Sequence, residues 1–286
     1  MKARVECIPC ILRQILKAAC LANASKACQM EILRETMEYL LKVDWNETPI
    51  ILSLEPYRIV RLKTGVWDPF SQVKHEFNQK ALNQYSKLKK IIQDSSDPLR
   101  MAIKISAVGN IIDFGPLSRE EIEETLNRSL EKKFTIDDYE IFRKRIEKAE
   151  TILFFADNAG EIVFDKLLLE VLLDEFDIER VTLVVKGGPF INDVTIKDVK
   201  QVGLDKIPNL EIKFLSNGDP NSGVYPCSPE AISWIKSHDI TISKGQGNFE
   251  NFSGISSIFF LLVAKCEVVA EELGVQIGDL VFRYNP

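Results

Sequence analysis

Apolar side chains recur with helical spacing through the first half of the chain. Ile11 and Ile15 lie one helical turn apart, and several apolar residues within 32–41 follow the same period. Asp97 followed by Pro98 is typical of a helix start, with the acid as N-cap and the proline as first helical residue. Few β-branched runs interrupt this half, so the pattern predicts a helical region.

The second half has a different pattern. Short apolar runs without helical period alternate with helical patterns, the clearest of which begins near Ile162. Runs that are apolar on both faces indicate parallel strands covered by helices on both sides. We therefore predict an α/β fold with a doubly wound, mostly parallel sheet. The predicted strands lie at 151–155, 181–185, 210–215, 240–242, 258–263 and 280–282.

The change of pattern suggests two domains. The chain has 286 residues, which agrees with a prior of about 150 residues per domain. We predict a helical N-terminal domain over 1–149 and an α/β core over 150–286. No apolar stretch approaches about 20 residues and the N-terminus lacks the apolar run of a secretory signal, so we expect no membrane span and a cytoplasmic protein.

Composition narrows the chemistry. The formal net charge is −6, which gives no broad attraction to phosphate backbones, so nucleic acid is not an expected partner. His75 and His238 are the only histidines, and two are too few for a histidine-rich metal centre. Six cysteines in this length are too few for a disulfide scaffold. A metal site must therefore draw mainly on oxygen or sulfur ligands.

Polar residues with oxygen donors follow the first two predicted strands. Asp157 and Asn158 come after the first, and Asp193 lies in the Gly-containing segment after the second. Ligands of an open parallel sheet bind beyond the carboxyl ends of its strands. Carboxylate and amide oxygens suit a hard cation such as Mg²⁺ or Mn²⁺. The alternative for both acids is helix N-capping, and the residues alone leave this open.

The segment after the predicted strand at 240–242 has the character of an anion site. Lys244 supplies a positive charge, and Gly245 and Gly247 allow backbone N–H groups to approach an anion closely. The segment is neither a P-loop nor a dinucleotide fingerprint, since position 250 is Glu250. An acidic metal site beside a Lys/Gly anion site favours metal-assisted phosphate hydrolysis.

Several blocks, taken in order, resemble the damage-control phosphatase family, long catalogued as domain of unknown function eighty-nine. The resemblance extends from Cys7-x-x-Cys10 to near the C-terminus, and this N-terminal motif is similar to the stand-alone prokaryotic branch. The blocks are GNIIDFG at 109–115, DNAGE at 157–161, KGGP at 186–189, NDVT at 192–195 and SKGQGNFE at 243–250.

The resemblance implies a Rossmann-like α/β/α core packed with a helical region, and metal-dependent hydrolysis of small phosphometabolites such as sugar phosphates or nucleotides in metabolite repair. It implies a divalent ion, with Mg, Mn, Co and Ni all open. Asp157, Asn158 and Asp193 would bind the ion, and Lys244 would contact the phosphate. Further substrate contacts are expected from Asn110, Asp113, Glu161, Gly245, Gly247 and Asn248.

Other interpretations stay open from the residues. Cys7 and Cys10 are either structural thiols or a second, soft metal or redox site, and no second Cys-x-x-Cys exists to complete a zinc centre. A methyltransferase on a Rossmann-like core and a nucleotide- or metal-binding protein without turnover are the alternative functions. A phospho-aspartate mechanism is unsupported, because position 159 of the expected Asp-x-Asp is Ala159. The oligomeric state cannot be predicted.

Overall fold

The computed structural model describes residues 1–110, 119–219 and 221–286, with only the backbone at 119 and 120. The helical pattern of the first half is confirmed, including the N-cap of the helix that begins at Pro98, where the Asp97 side chain accepts from the Arg100 amide. The helices in the described residues are α1 (Cys7–Leu21), α2 (Lys26–Leu40), α3 (Pro49–Thr64), α4 (Ser71–Gln93), α5 (Pro98–Gly109), α6 (Arg119–Glu131), α7 (Tyr139–Ile146), α8 (Glu161–Glu175), α9 (Ile196–Val202), α10 (Pro229–Lys236), α11 (Gly245–Phe252) and α12 (Glu267–Leu273).

All six predicted strands are present in one sheet, which also contains a short strand that the pattern did not predict. The strands are β1 (Phe134–Asp137), β2 (Thr151–Phe155), β3 (Arg180–Lys186), β4 (Leu210–Leu215), β5 (Ile240–Lys244), β6 (Ile258–Val263) and β7 (Leu280–Asn285). The order across the sheet is β1-β7-β6-β5-β2-β3-β4, and β6 pairs antiparallel with β7 while the other pairs are parallel. The sheet is therefore mostly parallel, as predicted, and the pair of β6 and β7 departs from the prediction.

The sheet is covered on both faces, as the apolar runs predicted. Alternate residues of a strand point to opposite faces, so Phe154 and Phe155 of β2 enter two different hydrophobic clusters. The Phe154 side contains α5 and α8, and the Phe155 side contains α10, α11 and α12. This is the α/β/α sandwich expected for the core.

The helices of the first half divide into two groups. Side chains of α4, α5, α6 and α7 belong to the same cluster as the sheet, whereas α1, α2 and α3 build a separate cluster around Ile32 and Tyr57. Phe190, from the segment after β3, joins that separate cluster. The domain boundary at 149/150 stays a prediction. Among the described residues, none of the helices is both long enough and apolar enough to cross a lipid bilayer.

The topology fixes where ligands meet the sheet. From β2 the chain continues to β3 and β4 on one side, and then returns to β5 and β6 on the other side. The reversal lies between β2 and β5, which are parallel neighbours. Crevices form beyond the carboxyl ends of strands at such a switch point. The segments after β2, β3 and β5 therefore converge at one edge.

Candidate metal and substrate site

The segments after β2 and β3 are joined by backbone hydrogen bonds. Asn158 and Asp193 form an isolated antiparallel bridge. The Ala159 amide donates to the Asn192 carbonyl at 2.9 Å, and the Val194 amide donates to the Asp157 carbonyl at 2.9 Å. The structure thus brings together the three residues that the sequence predicted as metal ligands.

Amide groups surround the acids of this site. Asn110, the C-cap of α5, donates from Nδ2 to Asp157 Oδ2 at 3.0 Å and to Glu161 Oε2 at 2.6 Å. Asn158 Nδ2 also donates to Asp157 and, at 3.2 Å, to Glu161 Oε2. Asn110 Oδ1 is buried without a hydrogen-bond partner. Asn110 therefore reaches the site from the helical half, as predicted, whereas Asp113 lies outside the described residues.

Burial and mutual repulsion disfavour the ionised forms of the acids of the site. Burial, followed by repulsion from Glu161 and Asp193, raises the pKa of Asp157 well above its usual range. Burial raises the pKa of Asp193 to about 6, although Lys186 and Lys74 act in the opposite direction. Lys186 Nζ is 3.7 Å from Asp193 Oδ2, which is a long ion pair. A divalent cation would offset this repulsion.

The donor set fits a hard cation by its chemistry. Asp157 and Asp193 supply carboxylates and Asn158 supplies an amide oxygen, the ligand types that Mg²⁺ and Mn²⁺ prefer. In the described part of the chain no three His, Cys, Asp or Glu side chains are grouped closely enough to hold a metal by themselves. The amide of Asn158 is therefore an essential part of the candidate ligand set. In this structure Asn110 and Asn158 donate to Asp157 Oδ2, an oxygen that a cation would bind.

Lys244 lies beneath the site and is fully buried. Its ammonium donates to Glu161 Oε1 at 2.7 Å, to Asp165 Oδ1 at 2.6 Å and to the Ser106 carbonyl at 2.9 Å. An ammonium has three donors, so all of them are used within the protein in this structure. The phosphate contact predicted for Lys244 stays a prediction. The geometry gives this residue a further role, because it links α5, α8 and β5 and fixes Glu161.

The residues after Lys244 shape the site through the backbone. Gly245 has a φ of +77°, and a Cβ at this position would overlap the Asp157 carboxylate. A Cβ at Gly247 would lie 2.9 Å from Ile50 Cδ1, so this position is also crowded. Asn248 Nδ2 donates to the carbonyls of Ala156 and Lys244 at 3.0 and 2.9 Å. This segment packs directly on the acidic segment after β2.

A cleft of about 620 Å³ opens in front of Asp157 and Asp193. Positively charged side chains that are not among the predicted site residues also line it. Arg13 and Gln14 of α1 line it, and so does Lys265, which is exposed. Lys17 lines an adjoining cavity of about 340 Å³ together with Lys265 and Asn110. Lys265 follows the carboxyl end of β6, the kind of position where ligands of a parallel sheet bind, so the sequence could have indicated it. No comparable sequence signal identifies Arg13 or Lys17.

Cys7 and Cys10 line the same cleft, beside Cys266 and Glu250. All four belong to the wall that α1, α11 and the start of α12 form. The cysteines are free thiols, and burial raises the pKa of both Cys7 and Cys10. Burial also raises the pKa of Glu250 to about 7. The predicted metal or redox role of Cys7 and Cys10 stays a prediction.

The segment that carries Asp193 is held from outside the site. The Pro189 carbonyl accepts from Arg61 Nη2 of α3 and from Asn217 Nδ2, the latter at 3.0 Å. Ile191 has a φ of +47°, a left-handed conformation that a β-branched residue rarely adopts. The Asp193 amide donates to the Phe190 carbonyl at 3.0 Å. Contacts with α3 and with the turn after β4 thus stabilise a strained turn that presents Asp193.

The chain is similar to known proteins along nearly its whole length. Residues 3–281 match the family model described as the damage-control phosphatase ARMT1-like domain. A damage-control phosphatase of Pyrococcus horikoshii is 35% identical over 100% of this chain and 99% of its own length. A damage-control phosphatase of Archaeoglobus fulgidus is 32% identical over 99% of each chain.

A solved structure has the same fold. The crystal structure of a DUF89 family protein from Pyrococcus horikoshii superposes with a TM-score of 0.87 at 32% identity and covers 100% of both chains. The likeness therefore includes the helical half as well as the sheet. By the match of residues 3–281 and by these relatives, the chain belongs to the damage-control phosphatase family with an ARMT1-like domain.

Proposed function

We propose that this protein is a metal-dependent phosphatase that hydrolyses a small phosphorylated metabolite. Family membership supports phosphatase activity on damaged metabolites. The observation that carries the proposal is the backbone bridge between Asn158 and Asp193, which gathers two carboxylates and an amide beside a cleft. The cleft in front of these three side chains has a volume of about 620 Å³, which is large enough for a small metabolite.

Asp157, Asn158 and Asp193 would hold the divalent ion. When bound, such an ion polarises a phosphoryl oxygen and lowers the pKa of a bound water. Asn110 orients the Asp157 carboxylate by its 3.0 Å hydrogen bond, and so does the amide of Asn158. These two hydrogen bonds restrict the orientation of the Asp157 carboxylate and so would orient its oxygens for metal binding.

The cations of the cleft would bind the phosphate of the substrate. Lys265 is exposed and lines both cavities of the site, and Arg13 faces the larger cavity from α1. An ammonium binds phosphate as a point charge, while a guanidinium adds a planar set of donors. The formal charge of −6 is thus compatible with a phosphorylated ligand, because local charge differs from the total.

Lys244 would act mainly by position. It is fully buried and bonded to Glu161 and Asp165, while Ser106 Oγ donates to Asp165 Oδ1 at 2.6 Å. This network fixes Glu161, whose other oxygen accepts from Asn110 and Asn158. A displacement of Lys244 would therefore reach the predicted metal ligands through two hydrogen bonds.

The test is a phosphate-release screen over sugar phosphates, nucleotides and other small phosphate monoesters, with Mg, Mn, Co or Ni and after chelation. We expect turnover with at least one ion and its loss in Asp157→Asn and Asp193→Asn. Glu267→Gln, at an exposed carboxyl on the rim of the cleft, is the matched control and should keep the activity. Absence of turnover with every ion, or full activity of Asp157→Asn, contradicts the proposal. Methyl transfer from a sulfonium donor, measured on the same preparation, would favour the alternative activity.

A further inference from the structure

A second cleft lies on the opposite side of α3 from the candidate site. It has a volume of about 670 Å³ and is enclosed by α3, the end of α2 and the turn after β4. We propose that this cleft binds an uncharged heteroaromatic compound of one or two rings, and that its occupation acts on the segment carrying Asp193. The side chains that carry the argument are Leu62, Trp67, Tyr225, Arg58, Arg61 and Asn217.

The two clefts are separated by the body of α3. Ile50 and Ser53 line the candidate metal and substrate site, whereas Ile51 and Leu54 line the second cleft. Leu54 also packs against the turn after β4, because a Cβ at Gly218 would lie 3.1 Å from Leu54 Cβ. Neither Asp157 nor Asp193 lines the second cleft. The inference therefore does not depend on the proposed phosphatase activity.

The walls of the second cleft expose large apolar side chains to solvent. Trp67 is 57% exposed, Leu62 66% and Tyr225 45%, and all three line this cavity. The Arg61 guanidinium lies 4.5 Å from the centroid of the Trp67 ring and 4.7 Å from that of Tyr57. Arg61 thus contacts one face of the indole ring. Exposed aromatic rings in a concave cavity suit a flat ligand by stacking better than they suit a flexible chain.

The charges of the second cleft cancel, which favours an uncharged ligand. Arg58 donates from Nε and Nη2 to the two oxygens of Glu55, each at 2.6 Å. Arg61 donates to the Pro189 carbonyl, and the Asp219 carboxylate faces the same cavity. The two cations are thus matched by two anions, and a phosphorylated compound would gain no net attraction.

Two residues of this wall also touch the segment of the candidate metal ligand. Arg61 and Asn217 line the second cleft, and both donate to the Pro189 carbonyl. Pro189 precedes the strained turn at Ile191 and then Asp193. A ligand that orders Arg61 and Asn217 would therefore favour one conformation of this turn, and the coupling would be reciprocal.

Binding is tested by intrinsic fluorescence with adenosine, guanosine, uridine and indole as probes. The chain has three tryptophans, and Trp45 lies outside both clefts with its Nε1 donating to the Leu40 carbonyl at 2.7 Å. We expect saturable binding of at least one probe below about 1 mM, weakened at least about tenfold by Trp67→Leu and unchanged by Trp45→Phe. The titrations are repeated by calorimetry, because Trp67→Leu removes a reporter.

Three results would overturn the binding proposal. One is that none of the four probes saturates, and another is that Trp67→Leu binds them as well as the parent chain does. The third is a Trp67-dependent preference for adenosine monophosphate over adenosine, which would make the cleft an anion site. Sedimentation at several concentrations adds a further arm, since self-association abolished by Trp67→Leu would make this surface a protein interface and overturn the ligand assignment.

The coupling is tested by hydrogen exchange at 190–194. A bound probe should slow exchange of the amides in this segment, including the Asp193 amide that donates to the Phe190 carbonyl. Asn217→Ala removes one donor to the Pro189 carbonyl, so the protection of this segment, compared at saturating probe for each chain, should be smaller in the variant than in the parent chain. Unchanged exchange on saturation with a probe would refute the coupling, whatever the result of the phosphatase screen.

Discussion

Asn158 and Asp193 pair through their backbones although they belong to segments after different strands. The pairing follows from β2 and β3 being parallel neighbours with Phe155 opposite Val184, so that both strands end at the same edge. Two flanking amide-to-carbonyl bonds of 2.9 Å extend it. This relationship turns two separate acidic segments into one site.

The first prediction concerns Asp157. Replacing it by Asn removes one of three mutually repelling carboxylates, so the metal-free protein should melt at a higher temperature. The same change should weaken divalent cation binding at least about 100-fold, because a first ligand contributes more than the 10–100-fold of an outer partner. Thermal scans with increasing Mn²⁺ should therefore raise the Tm of the parent chain and leave that of the variant unchanged.

The control for Asp157 is Glu267→Gln, which changes an exposed carboxyl lining the same cleft. It should respond to Mn²⁺ like the parent chain. If Asp157→Asn were stabilised by Mn²⁺ as much as the parent chain is, Asp157 would not be a ligand.

The second prediction concerns Lys244. Replacement by Met leaves Glu161 and Asp165 buried without their cation, which should lower the free energy of unfolding by about 3–5 kcal/mol. Urea unfolding measures this change. Combining Lys244→Met with Glu161→Gln and Asp165→Asn should recover a large part of the loss, because the two side chains that paired with Lys244 are then uncharged.

Exposed Lys236 provides the comparison for Lys244. Lys236→Met should change the free energy of unfolding by less than about 0.5 kcal/mol. A similarly small effect of Lys244→Met would mean that Lys244 serves the substrate rather than the buried network.

The sequence predicts the positions of the strands better than it predicts their directions. Strands such as β2 and β6 are apolar on both faces, and short continuous apolar runs without helical period identify them. Periodicity contains no information on strand direction, so the antiparallel pairing of β7 with β6 could not be read from it. β1 is a four-residue strand that pairs with β7, and its alternation of buried and exposed side chains is too short to identify from sequence.

The candidate site was predictable where it follows strand ends. The ends of parallel strands meet at one edge, which predicts that Asp157, Asn158 and Asp193 lie together, and the structure places them together. The same rule gives the position of Lys244 but not the direction of its side chain, which runs inward to Ser106 and Asp165 on other elements. Arg13 reaches the cleft from α1 through tertiary packing, which no local pattern of the chain reveals.

The third prediction concerns Gly245. A methyl group there would overlap the Asp157 carboxylate, and the φ of +77° is unfavourable for alanine. Gly245→Ala should therefore lower the free energy of unfolding by at least about 1 kcal/mol and reduce the Mn²⁺-induced rise in Tm. Gly254→Ala is the matched control, since no atom lies within 4 Å of its added Cβ. Equal behaviour of the two variants would show that Gly245 does not constrain Asp157.

The fourth prediction concerns Lys265. If its ammonium binds the phosphate, Lys265→Ala should lower kcat/KM about tenfold or more, mainly through a higher KM. The effect should shrink as ionic strength rises, because the side chain is exposed. Steady-state kinetics at two salt concentrations test both statements, with Lys236→Ala as a control distant from the cleft. A loss confined to kcat would contradict a ground-state phosphate contact.

The last prediction concerns Glu250. Burial raises its pKa to about 7, so the folded protein holds a proton that the unfolded chain releases near pH 4.5. The stability this proton contributes is fully present below the unfolded pKa and is lost as the pH rises through the folded pKa. Glu250→Gln, which imitates the protonated form, should therefore gain about 2–3 kcal/mol relative to the parent chain between pH 5 and pH 8. Urea unfolding at the two pH values measures the difference, and Glu267→Gln, at an exposed carboxyl of the same cleft, should show no such gain. A pH-independent difference between Glu250→Gln and the parent chain would mean that Glu250 is ionised in the folded protein throughout this range.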